Sequence, residues 1–118
     1  PRSPRPKNPR PRLLAYNLVM TQDPSLLASI SVFCRRWGVA ELWLFGSLAR
    51  GQARPDSDAD VLVRFAATSS ASTWDWPQMS GELEAIFGRK VDLLTDAVLA
   101  NPYRRASILA TRQVLYAA

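Results

Sequence analysis

Apolar residues along the chain fall into alternating helical and strand-like stretches from Asp23 onward. Leu26, Leu27, Ile30, Phe33, Cys34 and Trp37 recur at helical spacing and form one apolar stripe. Asp23-Pro24 supplies an N-cap followed by proline at the first helical position, and Gly38 is a suitable C-cap. Residues 39–45 are rich in bulky apolar side chains and read as a buried strand. Residues 47–50 fit one helical turn, with Ser47 as its cap and Gly51 closing it. A second strand is expected over 59–65, with Arg64 near its end.

Residues 66–73 are small and polar, a loop. Trp74-Asp75-Trp76-Pro77 follows, and its preferred reading is a hydrophobic staple for the next helix. Stacking on a nucleobase or anchoring a partner protein is the functional alternative. The helix itself carries Met79, Leu83, Ile86 and Phe87 and ends at Gly88. Residues 90–94 form a short strand with Asp92 at its centre. Asn101-Pro102 repeats the cap-plus-proline start of a helix reaching about Thr111. Tyr103, Ala106, Leu109 and Ala110 are its expected inner stripe, with Arg104, Arg105 and Arg112 outside, and 114–116 adds a last strand. This order predicts an α/β (α+β) fold, a small mixed sheet with flanking helices.

Composition changes the picture in three places. The net charge of +5 looks like a nucleic-acid signal until it is located. Arg2, Arg5, Lys7, Arg10 and Arg12 lie in a Pro-rich segment with no acid before Asp23, whereas the chain from Met20 onward is formally neutral. Residues 1–19 therefore read as an extension and 20–118 as one domain, so nucleic acid is not an expected partner. The chain has no histidine, which excludes a His-based triad, a His general base and a His zinc site. Its single cysteine, Cys34, sits in a core stripe, so an inert buried thiol in a reducing cytoplasm is expected. No apolar run approaches the ~20 residues of a membrane span.

The chemistry concentrates in LFGSLARGQARPDSDADVLV, residues 44–63. Gly46 lets a backbone approach a phosphate closely, and a helix start at Ser47 offers unpaired N–H groups to an anion. Asp58 and Asp60, two apart at the mouth of a strand, would project to one side with Cα atoms about 6.5–7 Å apart. Carboxylates so spread can embrace two divalent ions about 3.5–4 Å apart, the arrangement used for phosphoryl and nucleotidyl transfer. Hard oxygen ligands favour Mg²⁺, or Mn²⁺, over zinc. Gly-Ser alone and Asp-x-Asp alone are weak signals. Their separation by ten residues, Leu48 to Ser57, is specific.

That pattern resembles the signature of the DNA polymerase β superfamily of nucleotidyltransferases, and within it the minimal nucleotidyltransferases (MNT) paired with HEPN toxins. The resemblance runs from Met20 to Tyr116 and includes LFGSLARG, SDADVLV, VDLL and NPYRRASILATRQVLY. It implies that Gly46 and Ser47 contact the triphosphate of ATP and that Asp58 and Asp60 bind two Mg²⁺ ions. Asp92 would be the third carboxylate, completing one metal site and helping to activate the attacking hydroxyl. Arg50 matches the family's Ala-Arg-Gly segment and would neutralise phosphate charge, as Arg54 also could. Many relatives carry a basic residue directly after the serine; here it is Leu48.

The implied activity is transfer of AMP from ATP to a tyrosine of a cognate HEPN ribonuclease toxin, making the chain its antitoxin, in a homo- or hetero-oligomer. A non-catalytic toxin-binding antitoxin is one alternative, although three clustered acids serve no purpose in a pure binder. A nucleotidyltransferase acting on a small-molecule hydroxyl is another, but little chain after Asp92 remains to hold such an acceptor.

Overall fold

The structure, a computed structural model, describes residues 23–52 and 54–118. The extension expected over residues 1–19, and Met20 as the start of the domain, lie outside the described residues. Helix α1 (Pro24–Trp37) starts where Asp23 Oδ1 accepts the Ser25 N–H at 2.9 Å. It stops at Gly38, whose φ of 69° is left-handed and whose N–H bonds the Cys34 carbonyl.

Strands β1 (Val39–Phe45), β2 (Ala59–Phe65), β3 (Val91–Thr95) and β4 (Gln113–Ala117) form one mixed sheet in the order β3-β2-β1-β4. β1 is antiparallel to β2 and to β4, while β2 and β3 are parallel. A parallel neighbour requires a crossover, and helix α3 (Trp76–Phe87) provides it. Between β1 and β2 a single helical turn, α2 (Gly46–Ala49), reverses the chain. After β3 come a 3₁₀ turn (Asp96–Ala100) and helix α4 (Pro102–Thr111), the latter capped by Asn101 Oδ1 accepting from the N–H groups of Tyr103 and Arg104.

The sheet buries its two faces differently. Ile30, Phe33 and Cys34 of α1 and Met79, Leu83 and Phe87 of α3 pack on Leu42, Leu44, Val61, Val63 and Leu93. Alternate residues Trp43, Phe45 and Leu62 face the other way, under Ile108 of α4 with Leu94, Val98 and Leu99. Asp60 and Asp92 alternate with Val61 and Leu93, so they belong to this second, thinly covered face. Burial of Cys34 pushes its thiol up to about 12, as expected for an inert core cysteine.

Four expectations need correction. Ser47 does not cap α2: Phe45 is the N-cap, without a side-chain bond, and Ser47 lies inside the turn. The staple is half right. Trp76 packs on the core, its ring centroid 6.4 Å from that of Phe65, but Trp74 is 92% exposed. On α4 only Ile108 is buried, and Tyr103, Ala106, Leu109 and Ala110 are all exposed. Arg112 is not a purely solvated charge either, since its guanidinium lies 4.3 Å from the centroid of the Trp43 ring.

Leu48 sits in the core at 1% exposure, so its side chain is turned away from any phosphate held by the turn. A basic residue there would be a buried charge without a partner, costing about 3–5 kcal/mol. Leu48→Lys is therefore expected to lower the denaturation midpoint sharply, read by chemical unfolding, rather than to add a phosphate contact.

Candidate functional site

Two registers assemble the site. β1 pairs Phe45 with Asp60, so the turn that follows Phe45 lies over the start of β2. β3 pairs Asp92 with Asp60, and neighbouring strands lie about 4.8 Å apart. Asp58 precedes β2 and is exposed at the same end. The structure thus gathers Gly46, Ser47, Asp58, Asp60 and Asp92 at one end of β1, β2 and β3.

Gly46 is the tightest point. Its φ is 76°, and a β-carbon built there would overlap Asp60 Oδ2 and come within 3.1 Å of Cγ. Only glycine fits both the left-handed backbone and the carboxylate beside it. Arg50 is exposed next to this turn, with its Nε donating to Gln52 Oε1 at 3.0 Å.

Asp60 is half-buried, and its carboxyl is held above the usual carboxylate range. Burial is the main cause, followed by the negative charges of Asp92 and then Asp58, while Arg104 and Arg50 act in the opposite sense. Arg54 is not among these charges. Arg104, assigned from sequence to a solvated face, is brought to the site by α4, which packs on α2. No periodicity could have found it, because the helix is turned over relative to its apolar pattern.

Arg89 is a second residue the motif does not mark. Its Nη1 donates to the Ser57 carbonyl at 2.9 Å and to the Arg54 carbonyl at 3.3 Å. The Ser57 hydroxyl in turn accepts the Arg54 N–H at 2.7 Å, and Ala59 N–H bonds the Lys90 carbonyl at 2.8 Å. These bonds fasten the loop that delivers Asp58 to the strand that delivers Asp92.

The model of the nucleotidyltransferase domain family matches residues 29–115, which takes in every one of these residues. The chain belongs to that family. The protein adenylyltransferase MntA of Thermococcus cleftensis is 36% identical to this nucleotidyltransferase over 81 residues, 69% of this chain and 77% of its own. A solved structure described as a minimal nucleotidyltransferase is 33% identical and superposes with a TM-score of 0.63, over 80% of this chain and 93% of its own. The complex of tri-AMPylated Shewanella oneidensis HEPN toxin with its MNT antitoxin matches at a TM-score of 0.57 and 19% identity, over 84% of this chain and 74% of the matched one. At that identity the likeness is one of fold. Among the described residues no helix is long and apolar enough to cross a membrane.

Because the Asp60 carboxyl is raised, the fold takes up its proton more readily than the unfolded chain does. Stability is gained as pH falls through the folded-state value, and ionised Asp60 opposes folding at neutral pH. Asp60→Asn is expected to raise the neutral-pH Tm by on the order of a few degrees. The gain should shrink on acidification below that value, and thermal scans of both proteins across acid and neutral pH check it. Gly46→Ala should lower stability by at least about 1–2 kcal/mol in denaturant titrations, from the left-handed backbone alone.

Proposed function

We propose that this nucleotidyltransferase uses magnesium and ATP to place AMP on a tyrosine hydroxyl of a cognate HEPN toxin, and so acts as its antitoxin. The carrying observation is the juxtaposition of the Gly46 turn with Asp60, with Asp58 and Asp92 gathered around it. The likeness to MntA and to the toxin-bound MNT fold supports the acceptor class.

The donor set fits magnesium. Three carboxylates raise one another's negative potential at Asp60, which is the strain a divalent cation relieves. Among the described residues no three acidic or cysteine side chains lie close enough together to hold a metal ion by themselves. Magnesium needs only one or two carboxylates when substrate phosphates complete its coordination. Asp58, Asp60 and Asp92 would hold the ions. When bound, these supply charge stabilisation at the reacting phosphate and lower the pKa of the attacking hydroxyl.

The chain's own residues do the rest by positioning. Gly46 opens the space beside Asp60 for the triphosphate, and first-turn N–H groups of α2 have no acceptor within their own helix. Arg50 and Arg104 offset phosphate charge from two sides. The tyrosine oxygen forms its bond to the α-phosphorus as the bond to pyrophosphate breaks, and Asp92, exposed at the edge of the cluster, takes the hydroxyl proton.

Labelled ATP, Mg²⁺ and a cognate HEPN protein provide the test. Wild type should label that protein, and Asp58→Ala/Asp60→Ala should do so more than about a hundredfold less, since even outer-shell partners of a metal site are worth about 10–100-fold. Equal labelling by the two proteins would sink the enzymatic reading.

A further inference from the structure

Helix α4 is turned over. With Ile108 buried, steps of about 100° put Tyr103, Ala106 and Ala110 within about 40° of the opposite side, facing solvent. Tyr103 is 86% exposed, and Leu109, on the flank of this strip, is 39% exposed. The side that carries Ile108 holds arginines instead: Arg104 and Arg112 fall within about 40° of it and Arg105 within about 60°, all three still exposed. Arg112 lies on Trp43 and the charge of Arg104 reaches Asp60. An apolar stripe at helical spacing is normally buried, and here it has no cover within the described residues.

We propose that this face, Tyr103-Ala106-Leu109-Ala110, docks a helix of the protein acceptor, one with small or apolar contact residues and acidic flanks. The inference rests on the protein-acceptor reading above and names the surface that reading lacks. Three observations select the occupant. Ala106 and Ala110 lie one turn apart and allow two helix backbones to approach closely, with Tyr103 as an exposed aromatic anchor at one end. From Asn101 to Ala118 there are three arginines and no acid, and exposed Arg105 borders the strip beside Leu109, so this edge is basic and complements an acidic partner. A two-fold contact with a second copy would instead set arginine rim against arginine rim. Finally, α4 packs on α2 and covers the face of the sheet that carries Asp60, so an acceptor held on this helix lies on the side of the carboxylates and not on the far side of the sheet.

The test uses the full chain, the cognate HEPN protein and two measurements, equilibrium binding and AMP transfer. Ala106→Glu/Ala110→Glu, both at exposed positions, should leave Tm and ATP affinity unchanged and weaken binding of the HEPN protein at least about tenfold. Arg105→Glu should also weaken it, and added salt should do the same to wild type. Unchanged HEPN affinity in the double variant overturns the docking surface, even if AMP transfer proceeds. Failure of wild type to bind the HEPN protein overturns it too. So does a wild-type dimer that the double variant converts to monomer, because the strip then belongs to a second copy. Binding that depends on the strip without any AMP transfer leaves the surface standing and removes the enzymatic reading.

Discussion

The placement of β2 between an antiparallel and a parallel neighbour is the constraint on which the rest of this structure depends. Register in a sheet is a two-valued property for side chains, since a slip of one residue sends each of them to the opposite face. The buried run Ala59, Val61, Val63 fixes that choice, because all three are fully enclosed beneath α1 and α3. Asp60 is thereby forced onto the opposite face, level with Phe45 on one side and Asp92 on the other. The core that stabilises the fold thus aims the carboxylates without contacting them.

The same geometry makes the site a destabilising element. A half-buried carboxylate with two like charges beside it is sustained only because the surrounding strands are held by apolar burial. Gly46 belongs to this arrangement. It saves no packing energy itself, and its lack of a side chain keeps Asp60 accessible beside a turn of backbone. The site is open on the side where α4 covers the sheet with a single buried residue.

Most of the scaffold was legible in the sequence because each local signal agreed with the tertiary demand on it. Asp23-Pro24, Gly38, Gly88 and Asn101-Pro102 mark helix ends where the structure has them. The spacing of Gly46-Ser47 from Asp58 and Asp60 was readable because the turn and loop between the two strands have a definite length. What could not be read is what depends on orientation. Ser47 looked like a cap because serine commonly is one, but Phe45 adopts the extended backbone that begins the turn. Trp74 and Trp76 are alike in sequence, and only Trp76 finds Phe65 to pack on. Arg89 acts through carbonyls of a loop remote in sequence, which leaves no trace in any pattern.

The α4 helix shows why such a failure is informative. Periodicity identified its apolar stripe correctly but assumed that the sheet would be the surface covering it. The sheet takes only Ile108, and it uses Arg112 on Trp43 where a larger apolar contact would be ordinary. A helix that exposes its apolar residues forgoes burial worth about 25 cal/mol per Å² on its own fold. That burial becomes available when another protein supplies the covering surface. In the proposed reading, the carboxylate cluster on this face and the exposed strip of α4 form one surface, the first for the nucleotide and the second for the acceptor.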